Sequence, residues 1–546
     1  MRLEPSFAAC WLSAALALSL PGCFEDADGV APVDTDTDIA TTSASSSTSS
    51  ELTTTDPAVD SSSGEPPSAA CGNGVPEGDE QCDDGNRDES DACTSLCAPP
   101  SCSDGLRSGD ESDVDCGGSC EGCDIDDGCE ADADCASDNC YRSVCVTACQ
   151  EWEAQFGSDM SDELVHLALG GDGSLYATGS TSGDVTGVTG HGGQDLFVAK
   201  FSAAGTLDFI RIIGSAADDA GRGVAVSDAG GIVAAGHSFG DYDGQANLGG
   251  QDGVITLLDA NTNKQWSRQL GTTAEDRVEQ VQFDAEGKIY VSAYTRGSYD
   301  DHVNGGSGDM LLLKLNPDGS EVWNRQLGPS GVQIGYAMEV TARGDVVVGG
   351  YSQQAFEGGE ALGGSDAILA KFDPDGVLLW SAQFGGASDE ETKARALDGA
   401  GNIYATGYTE GAFQDGTFGG ALDAFAIKLT PDGRKLWSIQ IASSGDELGY
   451  GVAVDADGDA HVVGWTSGDL GSQTPRGGSD VYLTRLSADG EIHETRLLGT
   501  DVADGGRAVR IGTEGEVYIG GWTDGDFAGT TTGARDAILM RVCPAG

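Results

Sequence analysis

A period of 57 residues runs through the C-terminal part of the chain and constrains its fold more than any other feature. The aspartate of a GGxD element, first seen as GGQD at 192–195, recurs at spacings of 57 residues and once of 56. Its copies are Asp195, Asp252, Asp309, Asp366, Asp423, Asp480 and Asp536. A second ladder keeps every step at 57 and consists of Gly179, Gly236, Ala293, Gly350, Gly407, Gly464 and Gly521. Residues 152–542 therefore contain seven copies of one structural unit.

Each unit contains four short segments of strand character. In the first unit they read LVHLALG, SLYATGST, DLFVAKF and LDFIRIIG, and glycine, aspartate and asparagine separate them. No helical periodicity competes with this pattern. Four strands per unit and seven units predict an all-β fold, a seven-bladed β-propeller, which we place at residues 149–546.

The units also resemble the SBBP repeat of bacterial extracellular proteins. The stretches that carry the resemblance are GSLYATGSTSGDV, GGQDLFVAKFSAAG and their copies. The resemblance implies a seven-bladed propeller and implies almost nothing about activity. LLDANTNKQW (257–266) is similar to the repeat of quinoprotein propellers, but those usually have eight blades and shorter repeats. The count of seven and the GGxD element favour the first family.

The two ends of the repeat array suggest how the ring closes. In an inner unit, Asn316 and Ser320 flank the turn PDG; Asn316 lies seven residues after the ladder aspartate and Ser320 three before a tryptophan. The same offsets, applied after Asp536 and before Trp152, give Cys543 and Cys149. The Trp152 strand is therefore predicted to pair with residues 536–542, and a Cys149–Cys543 disulfide to replace the turn.

Other periodic positions predict packing and ion pairs. We expect the GGxD aspartates to bind backbone N–H groups where a loop enters a strand. We expect the apolar ladder Val185, Tyr242, Tyr299, Phe356, Phe413, Leu470 and Phe527 to pin the longest loop of each unit. Cations recur at Lys200, Lys314, Lys371, Lys428, Arg485 and Arg541, and acids at Asp162, Asp219, Asp276, Glu390, Glu447 and Asp504. Their fixed phase suggests repeated ion pairs between strands or blades.

The N-terminus has the pattern of a targeting segment. An apolar run from Phe7 to Leu20 ends in LSLPGC, which resembles the lipobox of bacterial lipoproteins. The resemblance implies a signal peptide at 1–22, cleavage before Cys23 and lipidation of its thiol; the alternative is an ordinary signal peptide with an incidental cysteine. Residues 23–70 are the lipidated cysteine and an acidic, Ser/Thr-rich linker that cannot bury enough apolar surface to fold.

Two cysteine-rich modules follow, at 71–100 and 101–148. CGNGVPEGDEQCDDGNRDESDACTSLC closely resembles a cysteine-rich repeat of myxobacterial surface lipoproteins, with Cys71, Cys82, Cys93 and Cys97 in the match. The second module has eight cysteines, from Cys102 to Cys145. An even number of cysteines in an exported chain predicts disulfides. Cys120 and Cys123 form a CxxC that suits zinc or redox chemistry, but disulfides are favoured in an acidic chain with no histidine nearby.

The first module crowds oxygen ligands at nearly alternate positions. These are Asp83, Asp84, Asn86, Asp88 and Asp91, and they suggest a Ca²⁺ site. The alternative is a solvated acidic turn closed by Cys82–Cys93 or a similar pair, and the EF-hand pattern is not met. Calcium is the one cofactor that the sequence suggests.

The charge and the motifs limit the function. Ninety acidic residues against 28 basic ones argue against nucleic acid as a partner. The chain shows no G-x-S-x-G, HExxH or Walker sequence, and its six histidines share no repeat phase. We predict a monomeric, non-catalytic propeller that is lipid-anchored in the bacterial envelope, at the outer membrane or cell surface, and binds a protein or glycan through its variable loops. The alternative is an extracellular hydrolase or lyase with an axial active site.

Overall fold

The structure is a computed structural model and describes residues 71–543 except 77, 91, 125–126, 130–131, 138–139, 142–143, 146–148, 415 and 530–531. The predicted signal peptide, Cys23, the linker and Asp91 of the predicted calcium segment lie outside the described residues. A helix with the length and apolarity to cross a membrane does not occur in the described part of the chain.

Seven four-stranded antiparallel sheets form the blades of the predicted propeller. The inner strands are β4 (Asp162–Leu169), β8 (Asp219–Val226), β12 (Asp276–Phe283), β16 (Gln333–Val340), β20 (Glu390–Leu397), β24 (Glu447–Val454) and β28 (Asp504–Ile511). The second strands are β5 (Leu175–Thr181), β9 (Ile232–Ser238), β13 (Ile289–Thr295), β17 (Val346–Ser352), β21 (Ile403–Thr409), β25 (Ala460–Thr466) and β29 (Val517–Thr523). The third strands are β6 (Asp195–Phe201), β10 (Asp252–Leu258), β14 (Asp309–Leu315), β18 (Asp366–Phe372), β22 (Asp423–Leu429), β26 (Asp480–Leu486) and β30 (Asp536–Val542). The outer strands are β7 (Leu207–Ile213), β11 (Lys264–Leu270), β15 (Glu321–Leu327), β19 (Leu378–Phe384), β23 (Lys435–Ile441), β27 (Ile492–Leu498) and β3 (Trp152–Phe156).

The core lies between neighbouring blades. The second and third strands are buried along almost their whole length, because each face of a blade packs against the next blade. One such layer joins Val233 and Ile255 of blade two to Val291 and Leu313 of blade three. The outer strands are only partly buried, as the periphery of a ring requires.

The ring closes through the first strand of the array, as predicted. β3 pairs with β30, with Trp152 opposite Arg541, and completes blade seven as its outer strand. Cys149, before β3, and Cys543, after β30, lie at the same end of this strand pair. They form a disulfide with an S–S distance of 2.05 Å and a Cα–Cα distance of 5.7 Å. Because β3 covers β30, the third strand of blade seven is not left as an exposed edge, and the inner strand of blade seven contacts β4 of blade one.

The tryptophan and the PDG turn of successive blades also meet. The indole N–H of each outer-strand tryptophan donates to a turn carbonyl 51 residues later, for example Trp323 to Pro374 at 3.0 Å and Trp380 to Pro431 at 3.1 Å. Trp152 makes the same bond to Ala203 at 3.0 Å. This recurring hydrogen bond, which we call the tryptophan clasp, therefore links each of these outer strands to a turn of the next blade.

The ladder aspartates hold the long loops, as the sequence predicts. Asp423 accepts the backbone N–H of Gly419 at 2.7 Å and the side-chain amide of Gln440 at 2.7 Å. The oxygen of the same amide accepts the N–H of Phe413, whose ring is buried in the loop. The aspartate, the outer strand and the apolar ladder thus fix one loop together.

The predicted ion pairs between the two charged ladders are wrong. The cations pair with acids on the turn between the inner and second strands, as Lys371 does with Asp345 at 3.1 Å and Arg485 with Asp459 at 2.9 Å. The ladder acids instead accept backbone N–H groups, as Asp219 does from Ser215 at 2.6 Å. The two ladders lie near opposite ends of their strands, on the order of 15 Å apart at about 3.3 Å per residue.

The cysteine-rich region is short of regular structure and rich in disulfides. Its described elements are a 3-10 helix at Asp132–Asp134 and the strand pair β1 (Cys140–Tyr141) and β2 (Val144–Cys145). The described disulfides here are Cys71–Cys97, Cys82–Cys93, Cys102–Cys120, Cys116–Cys123 and Cys135–Cys145. Cys120 and Cys123 of the CxxC therefore bond to different partners.

Candidate functional site

Two cavities follow the propeller axis. The inner strand of each blade begins where its second strand ends, as the pair Asp162–Thr181 shows, so the loops between second and third strands all lie on one face. We call it the long-loop face. A cavity of about 420 Å³ lies on this side, lined by Ser180, Gln194 and His237 among others. A second cavity of about 360 Å³ lies toward the opposite face.

A ring of seven bulged residues lines the first cavity. In every blade the register between inner and second strand shifts by one at the same place, for example between Leu164 and His166. A bulge leaves its extra residue unpaired and re-aims the side chain. The bulged residues are Val165, Arg222, Glu279, Tyr336, Lys393, Tyr450 and Arg507, and all of them line the cavity.

Ion pairs and aromatic rings hold the charged members of this ring in place. Arg507 donates to Glu163 at 2.5 Å, and its guanidinium carbon lies 4.2 Å from the centre of the Tyr450 ring. Lys393 pairs with Glu391, and its Nζ lies 3.7 Å from the centre of the Tyr336 ring. The cavity wall is thus made of cations that are seated on tyrosines.

The lining of the axial cavities carries more positive than negative side chains, although the protein as a whole is acidic. Five cations line the two cavities, namely Arg222, Lys393, Arg395, Arg507 and Arg510. Three described acids line them, namely Glu163, Glu279 and Glu339. The chain as a whole carries a formal charge of −62, so the sign of the local charge is reversed here. A concave site with this charge favours ligands that carry negative charge.

The pKa shifts of Glu279 and Tyr336 leave each group in a form that can make hydrogen bonds to a ligand. Burial raises the pKa of the Glu279 carboxyl, but Arg222 and Arg277 outweigh it, and the pKa ends below its ordinary value. Burial raises the pKa of the Tyr336 hydroxyl, and Glu391 and Glu279 add to the rise. Glu279 is therefore ionised and Tyr336 protonated at neutral pH, so these two groups are hydrogen-bonding partners for a ligand.

Aromatic side chains recur near the ends of the second strands, on the long-loop face. They occupy the residue after the glycine ladder on the second strands, which is His237, Tyr294, Tyr351, Tyr408, Trp465 and Trp522 in six of the seven blades. Ser180 takes the seventh position. His237 lines the cavity, and the rings of Tyr351 and Tyr336 lie 6.0 Å apart. The Tyr408 ring centre lies 5.4 Å from Lys393 Nζ. We call these six residues the aromatic belt.

Comparison with known proteins identifies the repeat. Residues 436–471 match the family model SBBP, described as a beta-propeller repeat. They run from β23 through β24 and β25 into the next long loop, across the junction of blades five and six. The chain is a seven-bladed β-propeller that carries an SBBP repeat.

More distant similarities were also found. Regulatory protein FlaEY of Caulobacter vibrioides is 23% identical over 368 residues, which cover 58% of this chain and 38% of that protein. The chain thus spans well under half of that relative. The WD40 domain of Neurospora crassa Pan2 is 10% identical, with a TM-score of 0.40 over 70% of this chain and 90% of that one. The propeller domain of the trilobed protease of Pyrococcus furiosus is 10% identical, with a TM-score of 0.39 over 69% and 95%.

The partly buried imidazole of His237 should make the stability of the propeller depend on pH. Burial lowers the pKa of its imidazole to about 4, and Arg222 adds to this. An unfolded histidine titrates near pH 6.5. Between about pH 6.5 and pH 4 only the unfolded state takes up the proton, so the folded state loses up to about 3 kcal/mol as the pH falls.

The His237→Gln variant should lose less stability at acid pH than the parent protein. Urea unfolding of the full chain at pH 7.5 and 4.5 measures it, and the variant should lose about 2 to 3 kcal/mol less than the parent. His493→Gln, an exposed histidine on an outer strand, is the control and should keep the parent's profile. Parallel profiles for the parent and His237→Gln would contradict this prediction.

The site residues predicted from the sequence do not line the two axial cavities. The bulged ring and the aromatic belt were not singled out from the sequence, although both occupy fixed phases of the repeat. The signal was present in two places: charged residues three positions after the ladder acids, such as Arg222 and Arg507, and aromatic residues directly after the ladder glycines. In contrast, Cys149 and Cys543 meet at the periphery and belong to the fold.

The predicted calcium segment forms a series of side-chain turns. Asp83 accepts four backbone N–H groups, from Gly72, Asn73, Gly74 and Gly85. Asp84, Asn86 and Asp88 each accept the N–H of the residue two positions later. Among the described residues, the carboxylates of Asp83, Asp84 and Asp88 are not part of any group of three acidic, histidine or cysteine ligand atoms within 4.8 Å of one another.

Calcium binding by this segment stays a prediction. If it holds, Ca²⁺ should raise the melting temperature of the cysteine-rich region above its value in chelator, because a ligand that binds only the folded state stabilises it. Calorimetry of the full chain in both conditions measures this, with Mg²⁺ as the control. Identical melting curves would exclude the site.

Proposed function

We propose that this SBBP-type propeller is an exported, envelope-anchored binding protein that takes a glycan at the mouth of its axial channel. The observation that carries the proposal is the aromatic belt, which lies on the long-loop face beside a polar cavity and contributes His237 to its lining. Aromatic rings cover the apolar C–H faces of a sugar, while charged and amide groups bind its hydroxyls. A cavity that combines both is suited to a carbohydrate.

Size favours a glycan over a folded protein. The first cavity has a volume of about 420 Å³, within the range of small-ligand pockets. A folded domain cannot enter it, whereas one or two sugar rings or the end of a chain can. The long loops around the mouth differ in sequence between blades, as in SGDVTGVTGHGG and FGDYDGQANLGG, and would contact the rest of the ligand.

Substitution of Tyr408 tests the proposal. The full chain is screened on a glycan array, and the affinity for the strongest binder is measured for the parent, Tyr408→Ala and Tyr408→Phe. Loss of the ring should weaken binding about tenfold, which corresponds to about 1.4 kcal/mol. Tyr408→Phe keeps the ring and should bind like the parent. No binding to any glycan, or equal affinity in all three proteins, would refute the glycan proposal.

The anchor is the second half of the proposal. The five described disulfides of the cysteine-rich region and the one at ring closure suit an oxidising compartment outside the cytoplasm. Lipid chains on Cys23 would hold the propeller at the envelope. Cys23→Ser should release the protein into the soluble fraction, whereas Cys10→Ser, in the apolar run, should leave it with membranes. Membrane association of Cys23→Ser would contradict the anchor.

An axial hydrolase or lyase is the second candidate. The observation in its favour is that acids and arginines do meet on the axis, Glu163 with Arg507 and Glu279 with Arg277. Both acids are ion-paired, which suits a binding wall better than a general acid. Incubation of the array's strongest binder with the protein, followed by mass spectrometry of the glycan, separates the candidates: a shortened product supports the enzyme and an intact ligand supports the binding protein.

A further inference from the structure

The boundary between the two axial cavities is lined by Val452 and by four polar side chains on four different blades. His166, Gln280, Arg395 and Arg510 line both cavities, so they form the boundary between them. They belong to inner strands of blades one, three, five and seven. We call these four residues the waist.

Hydrogen-bond donors outnumber acceptors at the waist. Arg510 Nη2 and Gln280 Nε2 both lie 2.9 Å from His166 Nε2, and the N–H of Val224 points at His166 Nδ1 at 3.4 Å. A neutral imidazole has one accepting nitrogen and one N–H. Whichever nitrogen carries the proton, one N–H of the ring faces another donor. If the Gln280 amide is turned around, its oxygen can accept from the Nε2–H of His166. Arg510 then still faces that N–H with a donor of its own.

A second observation, on Arg395, points the same way. Its side chain is 6% exposed, and its Nε has no hydrogen-bond partner within the described residues. Its Nη2 lies 3.4 Å from Glu339 Oε2, while the other oxygen of Glu339 accepts from Gln282 at 2.9 Å. Arg395 thus has a long contact with a carboxylate that a second donor shares, and at least one N–H of its guanidinium remains unmatched.

The charges at the waist do not cancel either. Arg510 donates to the carbonyl of Val509 at 2.8 Å and faces the histidine, and neither partner is charged. Burial lowers the pKa of the Arg510 guanidinium to about 10, with Arg395 adding to the fall and Glu339 opposing it, so Arg510 remains charged at neutral pH. Burial also lowers the pKa of His166 well below its ordinary value, with Arg510 and Arg395 adding to this, so the imidazole is neutral. Two buried guanidinium groups therefore face one carboxylate, and an unpaired buried charge destabilises the folded state.

We infer that the waist binds an oxyanion between Arg395, Arg510, Gln280 and His166. Guanidinium groups match the oxygens of a phosphate, sulfate or carboxylate, and a bound oxyanion would accept the unmatched N–H groups of all four side chains. It would also tie four blades together across the axis. The inference does not depend on the proposed glycan, because the donors and the charge are there with or without the aromatic belt. The oxyanion is either free in solution or the acid group of a larger ligand.

Titration of the full chain with inorganic phosphate tests the waist. Isothermal calorimetry in a chloride buffer at pH 7.5 and constant ionic strength compares the parent with Arg510→Gln and with Arg434→Gln, an exposed arginine on an outer turn with the same change in charge. We expect saturable binding by the parent and by Arg434→Gln, and affinity at least tenfold lower in Arg510→Gln. Arg510→Gln should fold, because it removes a buried charge, and its melting temperature without phosphate is measured as a check.

Further ligands separate the two sources of the oxyanion. Binding of phosphate or sulfate but not of glucuronate supports a free anion. Tighter binding of glucuronate than of phosphate, with no binding of neutral glucose, supports the acid group of a ligand. Absence of saturable binding for every one of these anions, or equal affinity in the parent and Arg510→Gln, would overturn the inference. The phosphate titration reports on the waist and the glycan array on the mouth, so failure of the glycan proposal and failure of the waist remain distinguishable.

Discussion

Removal of the Cys149–Cys543 disulfide is expected to lower the free energy of unfolding of the propeller by up to about 6 kcal/mol. The crosslink joins positions 394 residues apart and therefore removes a very large loop from the unfolded ensemble. It also replaces the turn that other blades have between their third and outer strands. Without it, β3 is held in blade seven by its pairing with β30, by the Trp152 clasp and by side-chain bonds such as Gln155 to Asp536.

The double variant Cys149→Ser/Cys543→Ser measures this effect without leaving a free thiol. Urea unfolding of the full chain gives the free energy, and peptide mapping of the non-reduced parent verifies the pairing. Cys102→Ser/Cys120→Ser removes a disulfide that spans only 18 residues in the cysteine-rich region and should leave the propeller transition unchanged. A change of less than about 1 kcal/mol in the first variant would show that strand pairing alone closes the ring.

Ring closure could be predicted from the sequence because it depends on equivalence between repeats. Once the period is known, Cys543 is equivalent to Asn316 and Cys149 to Ser320, and residues at equivalent positions have equivalent neighbours. The backbone N–H of Asn316 donates to the Ser320 carbonyl at 2.8 Å, which shows the neighbourhood that the cysteines inherit. The same reasoning explains the success of the apolar ladder.

The charged ladders failed because a period does not tell which end of a strand a residue occupies. Asp219 stands at the start of an inner strand, on the long-loop face, whereas Lys371 lies near the end of a third strand, toward the other face. Opposite charges at a fixed phase are therefore not evidence of contact. The direction of each strand, which alternates within a blade, has to be applied first.

The axial site could not be read from the repeat for a different reason. A repeat is recognised by what its copies share, but the bulged ring is formed by a position at which the copies differ: Val165, Glu279 and Tyr336 are equivalent. The waist goes further, because His166 and Gln280 share one phase while Arg395 and Arg510 occupy two others. Only the closed ring brings these four side chains together.

Gly407→Ala is expected to destabilise the protein by about 3 kcal/mol, because a backbone carbonyl occupies the place of the added methyl group. A Cβ on Gly407 would lie 1.7 Å from the carbonyl oxygen of Glu391 on the neighbouring inner strand. The same distance is found for Gly350 and Ile334 and for Gly464 and Leu448. β21 is buried along almost its whole length and has little room to shift, so the two strands must separate beside the bulge at Lys393.

Two further variants make this a test of the close approach itself. Gly399→Ala, on the turn between the same two strands, adds its methyl group in open space and should change stability by less than about 0.5 kcal/mol. Blade three has Ala293 at the ladder position, so that blade is already arranged around a Cβ, and Ala293→Gly should cost about 1 to 2 kcal/mol through backbone entropy and the loss of a buried methyl group. Urea unfolding measures all three. Because Glu391 pairs with Lys393 on the cavity wall, Gly407→Ala should also weaken ligand binding at the mouth; unchanged stability together with unchanged binding would show that the blade accepts a methyl group there without moving the bulge.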